Sequence, residues 1–132
     1  GCEKDAEGKV TAVLAQIVPD TKSGTPGADS VKVKGVITWV SAIDGVAAEV
    51  RLYDRLFTEA EPGSGGRDFL EAINPASMQI VTAYAEPGLA QAAAGTSFQF
   101  ERHGYFVADR KDHGNGRIVF NRTVTLKDSW GK

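Results

Sequence analysis

Cysteine and long hydrophobic runs are the features that this 132-residue sequence has least of. Its single cysteine, Cys2, can form neither an intramolecular disulfide nor a cysteine-rich zinc site. No apolar run approaches the roughly 20 residues that a membrane-spanning helix needs, which argues against a membrane span. The N-terminal residues are polar and lack the basic-then-apolar order of a signal peptide. These absences favour a cytoplasmic location and no membrane partner.

Motifs of catalysis and metal binding are also missing. The stretch 63–66 is glycine-rich, but no Lys-Ser/Thr pair follows it as a phosphate-binding loop requires. There is no Gly-x-Ser-x-Gly segment, and the carboxylates are scattered along the chain. His103 and His113 lack the helical i, i+4 spacing of a metal site, so both are expected to be exposed loop residues. We therefore predict no catalytic residue, no metal ion and no cofactor in this chain.

The charged residues are distributed unevenly. The whole chain has 15 basic and 17 acidic residues, a net charge of −2. Residues 1–100 hold 8 lysines and arginines against 13 acidic residues, whereas residues 101–132 hold 7 against 4. A weakly basic C-terminal quarter can contact phosphate groups, although an imbalance of this size also arises by chance.

Short alternating segments, separated by turn residues, are the dominant pattern. They predict strands over residues 9–18, 31–41, 48–57, 78–84, 96–102, 105–108 and 118–126. Short helices are predicted over 68–73 and 87–94, and Gly114-Asn115-Gly116 predicts a hairpin turn. The composition therefore indicates a mainly β protein with one or two short helices, built as a small barrel or sandwich.

Two of the predicted strands carry apolar residues that suggest burial. Residues 9–18 are apolar on both faces, which predicts a strand covered on both sides. Trp39 shares a strand face with Val33 and Ile37, so we expect it in the core rather than as a platform for a nucleotide base. The Pro- and Gly-rich stretch 59–66 predicts a boundary between two units.

The segment Ser-Phe-Gln-Phe-Glu-Arg at 97–102 is the strongest candidate for a binding site. Alternation predicts Phe98 and Phe100 on one strand face and Gln99 and Glu101 on the other. Together with Arg102, the amide and the carboxylate could hydrogen-bond the edges of unstacked bases, as in recognition of single-stranded RNA. The alternative is an ordinary surface strand with a solvated polar face.

Five segments of the sequence carry a further signal. They begin with Gly-Val-Ile-Thr-Trp-Val-Ser-Ala at 35–42 and Glu-Val-Arg-Leu-Tyr-Asp-Arg-Leu-Phe at 49–57, and continue over 68–75, 98–106 and 119–124. Read in order, they resemble successive segments of bacterial glutaminyl-tRNA synthetases. The similarity is collinear over nearly the whole chain. It implies the C-terminal anticodon-binding region of a class I synthetase, which is built from two β-barrels related to ribosomal protein L25.

The resemblance also implies a domain organisation and a set of partners. Residues 1–57 would belong to the distal barrel and residues 58–132 to the proximal one. The catalytic domain, which uses ATP and Mg²⁺ to attach glutamine to its tRNA, would lie upstream in a monomeric parent enzyme. The partner would be the anticodon loop of tRNA(Gln). A piece of the barrels would expose strand edges and could self-associate through them.

By the same resemblance, Gln99 reads the middle anticodon base, a uridine. Glu101, Arg102 and Ser129 help to form the pocket for the third base. Lys32, Lys34 and Arg122 are candidates for contacts with the RNA backbone, although each is also an ordinary surface or structural residue. Two alternatives stay open: a free-standing L25-like RNA-binding barrel, and a glutamate–tRNA ligase, which the Phe-Gln-Phe-Glu-Arg segment disfavours.

Overall fold

The computed structural model describes residues 1–127, so Ser129 and its predicted role lie outside the described residues. Contacts along the chain divide it between Ile37 and Thr38 into two compact units. The predicted division at 57/58 concerns the two barrels of a longer parent protein, and it stays a prediction.

The first unit contains one hairpin. Strand β1 (Cys2–Lys4) pairs antiparallel with β2 (Val10–Val13). The turn between them is closed by Asp5, whose carboxylate accepts hydrogen bonds from the Glu7 and Lys9 amides at 3.2 and 2.8 Å. The rest of this unit consists of turns and irregular chain.

Two sequence predictions fail in this part of the chain. The strand predicted over 9–18 is confined to β2, and beyond it Leu14 is 59% and Ile17 is 90% exposed. The predicted strand over 31–41 does not form, and Trp39 is 83% exposed rather than in the core. No strand among residues 1–127 pairs with residues 14–18 or 31–41, and a strand needs a neighbour to bond its backbone and cover its apolar face.

A five-stranded sheet forms the second unit, in the order β4-β3-β7-β6-β5. The strands are β3 (Val46–Tyr53), β4 (Met78–Ala85), β5 (Ser97–Phe100), β6 (Gly104–Ala108) and β7 (Val119–Val124). All neighbours are antiparallel except β3 and β7, which are parallel. The mainly β fold class is confirmed, while closure of the sheet into a barrel stays a prediction.

Three short 3₁₀ helices connect the strands: Ser64–Gly66, Phe69–Ala72 and Pro87–Gln91. The second is capped by Asp68, whose side chain accepts from the Leu70 amide at 2.9 Å. It ends at Ile73, just before Asn74-Pro75, because a residue that precedes proline avoids the helical conformation. The two short helices predicted from the sequence are thus confirmed as 3₁₀ turns. Within residues 1–127, no helix is long and apolar enough to cross a membrane.

The core lies on one face of this sheet. Its buried members are Ala48, Val50, Phe106, Ala108 and Phe120. The rings of Phe98 and Phe100 on β5 pack against it: the ring centres of Phe98 and Phe120 are 5.8 Å apart, and those of Phe100 and Phe106 are 4.4 Å apart. Since side chains alternate along a strand, the residues between these core positions project from the opposite face, which we call the outer face.

Candidate nucleic-acid interface

Gln99 lies in the middle of edge strand β5 and is exposed. Its neighbours Phe98 and Phe100 are half-buried against the core, so the alternation predicted from the sequence is confirmed. Gln99 pairs with Tyr105 on β6 in the antiparallel ladder. A packed aromatic on each side and a paired backbone hold this position of the strand, and the amide projects from the outer face.

Glu101 and Arg102 are exposed too, but they do not continue the strand. β5 ends at Phe100, and residues 101–103 form the turn to β6, closed by a hydrogen bond from the His103 amide to the Phe100 carbonyl at 3.0 Å. The expectation of Gln99 and Glu101 side by side on one strand face is therefore wrong. A short three-residue hairpin loop interrupts the alternation after Phe100. All three side chains are nevertheless accessible to a ligand.

The backbone of this turn is unusual. Arg102 has a positive φ of 65°, which is uncommon for a residue with a long side chain, and Gly104 follows at 134°. A Cβ atom at position 104 would lie 2.5 Å from the Val124 carbonyl oxygen. Glycine is therefore required where the chain passes the end of β7, directly after the turn that carries Glu101 and Arg102.

Charged side chains form a cluster on the outer face around Arg51. Its guanidinium lies 2.8 Å from a Glu49 carboxylate oxygen, 2.6 Å from Asp112 and 3.4 Å from Asp109. Arg117 adds a contact to Glu49 at 3.1 Å. The sequence did not reveal this cluster, because Asp109 and Asp112 lie in the β6–β7 loop, far along the chain from β3.

Hydrogen bonds stabilise the ionised forms of Asp109 and Arg51. Asp109 accepts from the Asn121 side chain at 2.6 Å and from the Asp112 and Lys111 backbone amides at 2.8 Å each, which lowers its pKa from 3.8 to about 2. The pKa of Arg51 is raised above its ordinary value, chiefly by the hydrogen bond to Asp112. Arg51 is thus fully engaged with carboxylates. The cluster attaches the β6–β7 loop to the sheet, and it leaves the Arg51 guanidinium with no free side for a phosphate group.

His113 is buried, so the prediction that it is an exposed loop residue is wrong. The Val119 backbone amide donates to its Nδ1 at 3.2 Å, and its ring packs 5.2 Å from that of Phe120. The reason is the hairpin turn at 114–116, where residues 114, 115 and 116 all have positive φ and return the chain over residue 113. His103 is exposed, as predicted. Among residues 1–127, no group of three or more His, Cys, Asp or Glu side chains is placed to hold a metal ion.

The three candidate contacts with the RNA backbone lie in different surroundings. Lys32 and Lys34 are exposed in an irregular segment of the first unit. Arg122 is half-buried on β7, where it pairs with buried Phe106. The structure therefore brings Gln99, Glu101 and Arg102 together in one strand and turn. Contacts of Lys32, Lys34 and Arg122 with RNA stay predictions.

Comparison with known proteins supplies the family. The model of tRNA synthetases class I (E and Q), anti-codon binding domain, matches residues 36–109. The glutamine–tRNA ligase of Ralstonia nicotianae is 67% identical over 132 residues, which is 100% of this chain and 23% of the ligase. Those of Cupriavidus taiwanensis and Bordetella avium are 66% and 59% identical, over 100% and 98% of this chain.

The chain thus spans about a quarter of the length of these relatives, 23% of the ligases from Ralstonia nicotianae and Cupriavidus taiwanensis. The matched residues include β3, β4, β5 and β6, with the turn that carries Glu101 and Arg102. Because the family model covers more than half of its residues, the chain belongs to the anticodon-binding domain family of the class I (E and Q) tRNA synthetases.

Proposed function

We propose that this chain is the anticodon-binding region of a glutamine–tRNA ligase, and that Gln99 reads the middle base of the anticodon. Family membership and the identity to glutamine–tRNA ligases support the first part. The exposed amide of Gln99 on a strand backed by Phe98 and Phe100 supports the second. No observation favours a free-standing RNA-binding barrel or a glutamate–tRNA ligase over this function.

The chemistry of selection follows from the amide group of Gln99. A glutamine side chain both donates and accepts, so it can bond two neighbouring groups on the Watson–Crick edge of a splayed-out uridine. A base with a different order of donors and acceptors leaves a desolvated polar group without a partner. The penalty for that unpaired group is what distinguishes the correct tRNA from the others.

The neighbouring residues complete the proposed site. Glu101 and Arg102, in the turn that follows Gln99, would bind the third base together with Ser129. Lys32, Lys34 and Arg122 would contact the RNA backbone. ATP and Mg²⁺ would be bound by a catalytic domain outside this chain, and the ligase would act in the cytoplasm as a monomer.

The exposure of Gln99 on a rigid strand is the observation that carries this proposal, and Gln99→Ala in the full-length ligase tests it. We expect the preference for uridine at the middle position to fall by roughly 1–3 kcal/mol, the range typical of a base-edge contact. The assay compares kcat/KM for aminoacylation of tRNA(Gln) and of variants with another middle base. Gln79, an exposed glutamine on the opposite edge strand β4, provides the control variant Gln79→Ala. Unchanged preference in Gln99→Ala would refute the assignment.

A further inference from the structure

The outer face of the sheet places an aromatic ring beside Gln99. Tyr105 is the cross-strand partner of Gln99, and partners in an antiparallel ladder project from the same face. Tyr105 lies between Gly104 and Phe106, which are both buried, and its own side chain is 44% exposed. The two side chains therefore leave adjacent strands in the same direction, with Cβ atoms about 5 Å apart.

The backbone of Tyr105 is held on both sides. β6 lies between β5 and β7 in the sheet, and the Thr123 hydroxyl donates to the Tyr105 carbonyl at 3.1 Å. Within residues 1–127, the Tyr105 hydroxyl makes no hydrogen bond, and no aromatic ring packs on the Tyr105 ring. Tyr105 thus offers a positioned, half-exposed ring that has neither an aromatic partner nor a hydrogen bond of its hydroxyl within the described residues.

We propose that the ring of Tyr105 stacks on the nucleotide whose edge Gln99 reads. This inference rests on the proposed function. A base that meets the Gln99 amide with its edge must place its flat face against whatever stands next to that amide. Sheet surfaces that bind single-stranded RNA use exposed aromatic side chains in this way, because every base has a face that can stack.

Tyr53, which is 45% exposed, is another tyrosine on the outer face of the sheet, but it is less suited to stack on the base that Gln99 reads. It lies on β3, three strands away from β5, which corresponds to about 14 Å. Its hydroxyl donates to the Asn121 side chain at 2.8 Å and is thereby coupled to the charged cluster. Tyr105, in contrast, is the aromatic residue directly opposite Gln99 on the neighbouring strand.

RNA is a better occupant of this surface than another protein segment because the surface is continuous with the proposed reading site. Arg102 stands exposed at the end of the same hairpin and brings positive charge to it. The carboxylates of the outer face, Glu49, Asp109 and Asp112, are bonded by Arg51. Together with Arg117, which contacts Glu49, the Arg51 guanidinium offsets two of the three negative charges that an approaching phosphate group would meet.

The test compares Tyr105→Leu, which removes the ring, with Tyr105→Phe, which keeps it, both in the full-length ligase. The probe is an anticodon stem–loop of tRNA(Gln) with a fluorescent uridine analogue at the middle position, which keeps the Watson–Crick edge of uridine, titrated alongside the unmodified stem–loop. We expect Tyr105→Leu to weaken binding about 5- to 150-fold, the range for loss of one base–aromatic stack, and Tyr105→Phe to bind within about threefold of the wild type. The fluorescence of the analogue in the complex should rise in Tyr105→Leu, because stacking on the tyrosine ring quenches it.

Tyr84→Leu is the matched control, since Tyr84 is an exposed tyrosine on the same face but on the far edge strand β4. Its complex should match the wild type in affinity and fluorescence. The inference is overturned if Tyr105→Leu leaves the fluorescence of the uridine analogue unchanged, or if Tyr105→Phe loses as much affinity as Tyr105→Leu. It is also overturned if Tyr105→Leu lowers only the thermal midpoint of the ligase, since the ring then packs against protein.

Failure of this inference can be separated from failure of the proposed function. Stacking tolerates any base, so Tyr105→Leu should weaken stem–loops with uridine or cytidine at the middle position by the same factor. Gln99→Ala should instead change the ratio between them. A changed ratio in Gln99→Ala with full affinity in Tyr105→Leu refutes the stack and leaves the reading role intact.

Discussion

Replacement of Gly104 by alanine is the change that most directly tests how the turn at 101–103 is built. Gly104 has a φ of 134°, in a region of backbone conformation that is almost restricted to glycine. The added methyl group would lie 2.5 Å from the Val124 carbonyl oxygen, a backbone atom at the end of the neighbouring strand. Neither partner is a flexible side chain, so the hairpin and β7 must move apart.

The cost can be worked out in two parts. Holding a residue with a Cβ at such a φ costs about 1–3 kcal/mol. Displacement of the Val124 backbone adds strain where Tyr105 pairs with Val124, so we expect about 2–4 kcal/mol in total. Gly116 offers a matched control in the next turn: its φ of 86° is also positive, but no atom lies within 4 Å of an added methyl group. Gly116→Ala should therefore cost only the conformational part, about 1–2 kcal/mol.

Urea unfolding of the 132-residue chain, followed by circular dichroism, measures both variants against the wild type. The account predicts that Gly104→Ala is the less stable of the two. In the full-length ligase, the same change should also impair discrimination at the third anticodon position, because Glu101 and Arg102, which we propose bind the third base, lie in this turn. Equal stability of Gly104→Ala and Gly116→Ala would refute the reasoning.

Two further predictions concern the cluster and the sheet edges. The pKa of Asp109 in the folded chain is about 2, below its ordinary 3.8, so its ionised form stabilises the fold above about pH 4. This contribution is lost as the pH falls from about 4 toward about 2. Asp109→Asn should therefore be about 1–2 kcal/mol less stable than the wild type by urea unfolding at pH 7, and the gap should close near pH 2; a gap that is constant with pH would contradict this. The 132-residue chain should also self-associate, because β4 and β5 form the edges of the sheet within the described residues and many apolar side chains of residues 10–43 are exposed. Analytical ultracentrifugation tests this, and a strict monomer at high concentration would count against it.

The sequence predicted the fold well where strand partners lie within the chain. On β3, β5 and β6, which pair with other strands of the sheet, alternate residues are the more buried ones, as the sequence pattern predicts. The same alternation over 9–18 and 31–41 was misleading. Hydrophobic patterning indicates that a segment needs a neighbouring strand, but it does not show that residues 1–127 contain that strand. Trp39 is exposed for this reason.

The sequence predicted the part of the candidate site that depends on neighbouring residues, but not the part that depends on segments far apart along the chain. Gln99 and its two flanking phenylalanines lie on one strand, and local alternation suffices to orient them. The departure of Glu101 from the strand depends on a three-residue hairpin loop and on Gly104, which alternation does not report. The Arg51 cluster and the burial of His113 depend on where the β6–β7 loop returns to the sheet, and only the structure shows that.

The most direct measurement of the central claim is a structure of the full-length ligase bound to tRNA(Gln). The account predicts a middle anticodon base turned out of the RNA stack, with its Watson–Crick edge within about 3 Å of the Gln99 amide. A middle base that is bound by another part of the protein, with Gln99 left in solvent, would contradict it.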